Sequence, residues 1–290
     1  SSSTLPSFRF STLVVRVLIH LSLLYPNLKK CQGLHPTSYK KFTFVILVIL
    51  VSLVMLMPFG WILGTSMRKA SESFALPPVF FPTEWNIENY RSVLNAIPFF
   101  QYTWNSLFIS VVSTFFMVIT ASMAAYAFSR IEFKGKKIMF PIVISGMMIP
   151  AQSIIIPTFL ITRAINVIDT PWSIIFTSIY YPVGFFLLRQ SMMTIPKSYD
   201  EAAYCDGAGR FTIFTKIILP MSKSPLIVAC SMFFINIWNE FFKAMIFLTS
   251  SSNLTLPLGI RMLNTSHGNS NMPLITAAVV LSLIVPLLFY

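Results

Sequence analysis

Charged residues are scarce in this chain of 290 residues. Only 10% of the residues are Asp, Glu, Lys or Arg, and just nine are acidic. A soluble domain usually carries about 25% charged residues. The deficit therefore excludes an ordinary cytoplasmic enzyme.

Cysteine is also rare, and the sequence contains no phosphate-binding loop. Cys31, Cys205 and Cys230 are odd in number and lie in different segments, so they form neither a disulfide framework nor a metal-ligand pattern. The three histidines are equally scattered. A G-x-x-x-x-G-K-[ST] motif is missing. We therefore expect no metal site, no cofactor, no catalytic residue and no ATP hydrolysis by this chain.

Apolar residues make up 55% of the chain, and most of them occur in long runs. A helix needs about 20 apolar residues to cross a bilayer core of about 30 Å. Six runs are of that order: 42–64, 105–129, 138–161, 172–188, 225–247 and 272–290. The sequence therefore predicts an all-α, polytopic membrane protein with six transmembrane helices.

The basic residues are distributed unevenly around these spans. The net charge is +12, which in a soluble protein would suggest nucleic acid as a partner. No basic stripe alternates with stacking aromatic residues, so we expect no nucleic-acid binding. Fifteen Lys and Arg residues lie in the N-terminal tail and in the second and fourth loops, against five on the opposite side. The positive-inside rule then places the N terminus in the cytoplasm.

Residues 1–41 differ from the six-span domain that we predict over 42–290. The tail combines Ser, Pro and basic residues with one apolar run, 13–25, that is too short to span a bilayer. No small-residue cleavage site follows that run, so a cytoplasmic or interfacial tail is favoured over a signal peptide. The chain begins at Ser and ends inside an apolar run, which is consistent with a sequence incomplete at both ends.

The expected external segment 65–104 is too long to be a simple turn. Its Pro-rich stretch precedes the residues Trp85 to Tyr90, which predict a short amphipathic helix. Such a helix either presents an outward contact surface or lies at the level of the lipid headgroups.

The fourth loop, 189–224, predicts two short helices. Ser198 followed by Glu201 forms a capping box, in which each side chain would accept a hydrogen bond from the backbone amide of the other residue. Gly207 supplies a C-terminal stop. The second helix is expected from about Arg210 to Pro220.

The two helices have different faces. Four residues of the first share a face that leaves room for another surface: Tyr199, Ala202, Ala203 and Asp206. Three residues of the second form an apolar stripe suited to packing on the bundle: Phe211, Phe214 and Ile218. This pattern predicts a docking element on the cytoplasmic side. The alternative is an ordinary helical hairpin lying on the membrane.

The fourth loop resembles the EAA loop of the permeases of binding-protein-dependent ABC importers. The anchors are Glu201-Ala202-Ala203, Gly207 and, after nine intervening residues, Ile217-x-Leu219-Pro220. The similarity covers about residues 40–290 and is closest to the carbohydrate, maltose-type branch. Four further stretches carry it: Pro82–Leu94, Ala125–Phe133, Leu188–Asp206 and Trp238–Phe241.

This resemblance implies a type I importer permease fold and a coupling helix that sits in a groove of an ATPase subunit. Five residues are carried over as that contact: Glu201, Ala202, Ala203, Asp206 and Gly207. The implied partners are two ATP-binding cassette subunits, a second permease, an extracytoplasmic solute-binding protein and a sugar or oligosaccharide. The chain itself would be a permease in the cell membrane rather than an enzyme.

The fifth span contains Glu240, the single acidic residue in the six predicted spans. Asn236, Glu240 and Lys243 can share one helical face. Ionisable residues at membrane depth normally face a cavity or a partner, so Asn236, Asn239 and Glu240 are candidates for a translocation pathway. An intrahelical ion pair that only holds the bundle together is the structural alternative. A rival function is a secondary transporter or channel without an ATPase, with Glu240 as its ion or proton site.

Overall fold

The computed structural model describes residues 38–72, 82, 84–266 and 271–289. These residues are mainly helical, and none of them lies in a β-strand, which confirms the all-α prediction. Most of the tail 1–41 and of the Pro-rich stretch lies outside the described residues, so the domain boundary at 41/42 stays a prediction. The chain divides into two compact units, residues 1–86 and 87–290.

The first unit contains one long helix, α1 (Ser38–Ser66). Its segment Phe44–Ser66 is long and apolar enough to cross a membrane, in agreement with the predicted span 42–64. Beyond it, the Arg68 guanidinium lies 4.7 Å from the centre of the Trp61 ring. The helix therefore ends where charged and aromatic side chains begin, as is usual at a membrane interface.

The second unit begins with the predicted amphipathic helix, α2 (Glu88–Ala96). Val93 is fully buried, whereas Glu88 and Arg91 are exposed and lie 3.9 Å apart. The helix packs against the last one, α14 (Met272–Phe289). Helix α14 coincides with the predicted sixth span.

The 32-residue helix α3 (Phe99–Arg130) lies at the centre of the second unit. It packs against α6 (Pro171–Ser178), α7 (Pro182–Thr194), α11 (Lys223–Trp238) and α13 (Leu256–Ser266). Its buried face contains many small side chains: Ser106, Ser110, Ser113, Thr114, Ala121, Ser122 and Ala125. Small residues let neighbouring backbones approach closely where lipid offers no hydrophobic driving force between helices. The predicted second span is therefore the helix around which the others are arranged.

The predicted third span, 138–161, is not one helix. It consists of α4 (Lys136–Ser145), a 3-10 turn (Ala151–Ile154) and α5 (Ile155–Ala164). Pro150 has an extended conformation with ψ 132°, and a proline disfavours helix in the residue before it. The predicted third span is therefore divided into two short helices.

The fourth and fifth predicted spans are also interrupted. Helices α6 and α7 meet at a 41° bend over residues 179–181, where Pro182 lacks the amide that would continue the ladder. Helix α11 ends at Trp238, and α12 (Phe242–Phe247) follows after a break. Over the described part of the chain, three helices are of membrane-crossing length, or up to five if two bent pairs, α6 with α7 and Arg210–Met221 with α11, each count as one span. The predicted count of six spans is thus not reproduced exactly.

Asp169 joins the loop before α6 to the loop after α12. Its Oδ1 accepts hydrogen bonds from the amides of Thr249 and Ser250 at 2.8 and 2.9 Å, and the Ser250 hydroxyl donates to Oδ2. Asn253 Nδ2 donates to the Asp169 carbonyl at 2.5 Å. The Ser250 hydroxyl, followed by the two amides, lowers the carboxyl pKa to about 2, because these donors favour the charged form.

The loop after α12 is also attached to α3. Asn105 Nδ2 donates to the carbonyls of Ser252 and Leu254 at 2.8 and 2.9 Å. The Ser106 hydroxyl accepts from the amide of Leu256, the first residue of α13, at 2.8 Å. Side chains from two separate elements therefore fix this loop.

We predict that Asp169→Asn lowers the melting temperature of the detergent-solubilised protein at pH 7, because the neutral amide replaces charge-assisted hydrogen bonds. A lowered pKa means that the stabilisation is fully present above about pH 4 and is lost as the pH falls towards 2. The gap between variant and wild type should therefore narrow below about pH 4. Thermal unfolding at a series of pH values measures both effects. Asp206→Asn is the control, since Asp206 is exposed, and an equal loss there would contradict the prediction.

Candidate functional site

Helix α8 (Ser198–Cys205) is the first helix of the 189–224 loop and is mostly exposed. Glu201, Ala202, Asp206 and Gly207 are exposed, so four of the five predicted contact residues are accessible on one element. Ala203 is different, because it is only 7% exposed and packs in the core of this chain. The structure therefore divides the two adjacent alanines between an outer and an inner face.

The predicted capping box at the start of α8 is wrong. The helix begins at Ser198, and no side chain caps it. The amide of Glu201 donates to the Lys197 carbonyl at 3.1 Å. Since that amide already has a backbone partner, Ser198 has no role as its cap, and the Glu201 side chain stays exposed.

The end of α8 confirms Gly207 as its stop. Gly207 has a φ of +79°, in the left-handed region that favours glycine. Its amide donates to the Tyr204 carbonyl at 3.0 Å, and the amide of Ala208 donates to the Ala203 carbonyl at 2.9 Å. This pair of bonds is a Schellman motif, which satisfies the free carbonyls of the last turn.

The second helix of the loop has a π-helical centre. It consists of α9 (Arg210–Ile213), the π-helical turn Phe214–Ile218 and α10 (Leu219–Met221). Pro220 explains the wider turn, because its ring would clash with the carbonyl four residues earlier in an ideal α-helix. The 79° bend before α11 sets this helix across the direction of the span that follows.

The predicted apolar stripe is only partly buried. Phe214 and Ile218 are 7% and 0% exposed, as expected, whereas Phe211 is 71% exposed. Phe211 thus does not pack on the bundle within this chain. The residue that replaces it is Ile213, which is fully buried.

The Glu240–Lys243 side-chain ion pair, the structural alternative at this position, does not form. The Glu240 Oε1 accepts from the backbone amide of Lys243 at 2.9 Å and so caps the start of α12. The Lys243 ammonium donates to the Thr177 carbonyl and the Ser178 hydroxyl, both at 3.0 Å. The two charged side chains therefore hold two different helix ends, which the sequence spacing did not reveal.

Asn236 and Asn239 lie near the end of α11 and are exposed. The Asn239 Nδ2 donates to the Ile235 carbonyl at 2.8 Å. Seven residues before it, Met232 lies on the same face of α11 and is 38% exposed. The three side chains form an accessible strip along α11, with its polar members beside the break. Glu240 is half-buried next to them.

A cavity of about 320 Å³ lies beside the break between α6 and α7. The Thr120 hydroxyl donates to the Ile179 carbonyl there at 3.1 Å, and the Tyr180 hydroxyl donates to the Val143 carbonyl. Non-helical backbone at membrane depth is tolerated where it is satisfied in this way or lines a cavity. No group of three or more potential metal ligands occurs among the described residues.

Long apolar helices, interrupted spans and the exposed helix α8 on one loop together define a polytopic helical membrane protein. Residues 117–290 match the family described as "Binding-protein-dependent transport system inner membrane component". The chain belongs to this family. It is therefore the membrane part of a transporter rather than an enzyme, which also decides against the secondary-transporter alternative.

Two relatives and one solved structure illustrate the similarity. The chain is 35% identical to the inner membrane ABC transporter permease protein YcjP of Escherichia coli K12, over 73% of this chain and 77% of the relative. It is 33% identical to the trehalose/maltose transport system permease protein MalG of Thermococcus litoralis, over 84% and 89%. A bacterial ABC transporter involved in alginate import shares the fold, with a TM-score of 0.71, 24% identity and coverage of 89% and 96%.

We predict that Gly207→Ala makes the C-terminal end of α8 unfold locally more often. The reason is that a left-handed conformation costs an alanine about 1–2 kcal/mol. Hydrogen exchange of the peptide that contains Ala208 should accelerate by about 5- to 30-fold, since 1.4 kcal/mol corresponds to about a factor of ten. Gly209→Ala is the matched control, because Gly209 has a φ of −75° and open space around it. Equal exchange in the two variants would show that the Schellman turn is not what holds the helix end.

Proposed function

We propose that this chain is the permease subunit of an ATP-driven importer for a sugar or oligosaccharide. The family describes a membrane component that depends on a binding protein. Relatives named for trehalose/maltose transport and a structure described for alginate import support a carbohydrate as the solute. The observation that carries the ATP-driven mechanism is the exposed helix α8, which offers an acidic and small-residue surface on a loop otherwise rich in basic residues.

Helix α8 acts as the coupling helix in this proposal. Glu201, Ala202, Asp206 and Gly207 supply its contact with an ATPase subunit, because all four are exposed. Ala203 contributes from the inner face, where its small side chain lets α8 lie close to the bundle. The Schellman turn keeps Asp206 and Gly207 in a fixed conformation at the end of the contact.

The partners follow from the same proposal. Two ATP-binding cassette subunits hydrolyse ATP, a second permease completes the pathway, and an extracytoplasmic protein delivers the solute. The second permease would cover part of the apolar surface that α3 leaves exposed, which includes Phe100, Trp104 and Phe115. The remaining apolar surface faces the lipid of the cell membrane.

The accessible strip on α11 supports a translocation pathway at Asn236, Asn239 and Glu240. Amide and carboxylate groups can hydrogen-bond the hydroxyls of a sugar. Glu240 serves at the same time as the cap of α12, so its part in the pathway is to shape the break as well as to face the solute.

The orientation of the chain is also part of the proposal. Fifteen of the Lys and Arg residues lie in the tail and in the loops that contain α8 and Lys136, against five on the other side. This asymmetry supports a cytoplasmic N terminus. It also supports a cytoplasmic position for α8, on the side of the membrane where ATP is available, and an outer position for the loop that contains Asp169.

We predict that Glu201→Lys prevents recovery of the ATPase subunit with the tagged permease, because it reverses the charge of an exposed residue in the proposed contact. Affinity purification in mild detergent, followed by mass spectrometry, measures which subunits remain bound. The permease itself should stay in the membrane at the wild-type amount.

The matched control is Glu132→Lys, which makes the same charge change on a carboxylate that is 80% exposed but lies outside α8. It should leave the ATPase bound. Retention of the ATPase and of uptake by Glu201→Lys would refute the proposed contact.

We predict that Asn236→Ala reduces uptake of labelled maltose by proteoliposomes of the full complex by about 2- to 12-fold, the loss expected for one hydrogen bond of about 0.5–1.5 kcal/mol. Ile227→Ala is the control, because Ile227 is 54% exposed on the opposite face of α11. Equal uptake by both variants would remove Asn236 from the pathway. If wild type transports neither maltose nor any other labelled oligosaccharide, the carbohydrate proposal fails.

A further inference from the structure

A buried ion pair links the end of α3 to the start of α8. Arg130 Nη1 lies 2.9 Å from Asp200 Oδ2, and the two side chains are only 5% and 14% exposed. In the other ion pairs between described residues, at least one side chain is half or more exposed. Arg130 is the last residue of α3, and Asp200 precedes Glu201 on α8. The most protected charge pair among the described residues therefore lies at this junction.

Arg130 also holds the segment that leads into α8. Its Nη2 donates to the Ile195 carbonyl at 2.8 Å. A single guanidinium thus contacts both the lead-in to α8 and its first turn. Because a guanidinium is planar and presents its donors in a fixed fork, two such contacts define the direction of α8 relative to α3.

Two more side chains attach the loop to the same end of α3. The Tyr126 hydroxyl donates to the Arg210 carbonyl at 3.2 Å, and the Tyr126 ring lies 5.1 Å from that of Phe214. Arg189 Nε donates to the Phe128 carbonyl at 3.3 Å. The last five residues of α3 are therefore attached to the segments on both sides of α8.

The burial of the pair determines how firmly it holds. Separating two buried charges leaves each without compensation in a medium of low polarity, which is strongly unfavourable. An exposed pair exchanges readily with water and transmits little force. Displacement of α8 is thus expected to carry the end of α3 with it.

We propose that the Arg130–Asp200 ion pair is the rigid joint through which movement of α8 drives α3 during the ATP cycle. The two residues are positioning residues, since neither is assigned a contact with ATP or solute. Helix α3 is suited to receive the movement because it packs against α6, α7, α11 and α13. This inference rests on the proposed function of α8 as the coupling helix.

The test measures one distance within this chain in the complete transporter complex. One spin label is placed at Lys197→Cys, which is exposed directly before α8 and lies outside the proposed contact residues. The other is placed at Gln101→Cys, which is exposed and about 44 Å from Arg130 along the α3 axis. Cys31, Cys205 and Cys230 are replaced by serine. Double electron–electron resonance is recorded without nucleotide and after trapping with ATP and vanadate.

With the joint intact, the distance distribution should keep its centre and width when nucleotide is trapped. In Asp200→Asn and in Arg130→Gln, trapping should shift or broaden the distribution, because α8 then moves without α3. The double variant should show the same change as either single variant, since the joint is already lost. The exposed pair Glu132–Lys136, 2.9 Å apart, provides the control variant Glu132→Gln, which should behave as wild type.

Three results would refute the proposed joint. The distance distribution could change in wild type on trapping, stay unchanged in both single variants, or change additively in the double variant. Each sample is also tested for bound ATPase and trapped nucleotide. A wild-type permease that holds no ATPase would refute the proposed function itself. A complex that traps nucleotide but fails the distance test would refute the joint alone. Using both single variants keeps the test decisive if one of them assembles poorly.

Discussion

The need to satisfy backbone polar groups inside an apolar medium governs this structure. A continuous helix meets that need alone, but three of the predicted spans are interrupted. At two of the breaks a side chain supplies the missing partner. Thr120 and Lys243 donate to carbonyls at the end of α6, while the Glu240 carboxylate accepts a hydrogen bond from the amide of Lys243 in the first turn of α12. These broken spans persist because polar side chains satisfy their free backbone groups.

This constraint explains which parts of the fold could be predicted from the sequence. Helices α1, α3 and α14 were predicted well, because an uninterrupted apolar run needs no partner to be helical. The prolines at the breaks were visible in the sequence, but a proline can kink a membrane helix or end it. The outcome depends on partners such as Lys243, which lies 66 residues from Thr177 in the sequence. Single-sequence patterns do not contain that information.

The candidate site shows the same division between local and distant causes. Gly207 was predicted correctly because a helix stop depends on its neighbouring residues alone. The capping box failed because the helix begins one residue earlier than the motif requires. Phe211 was expected inside because helical spacing was extended through a π-helical turn, which shifts the face that follows. Arg130 entered the sequence analysis only as one of the positive loop charges and as part of the stretch Ala125–Phe133, since nothing local connects it with Asp200.

Helix α8 also has a consequence for how the chain meets proteases. Eight residues are too few for a stable isolated helix in water, so α8 depends on Ala203, the Arg130–Asp200 pair and the Schellman turn for its conformation. Its outer face stays accessible in the permease alone, and exposed loop segments are the preferred sites of proteolytic cleavage. A bound ATPase would cover that face and so slow proteolysis of the loop.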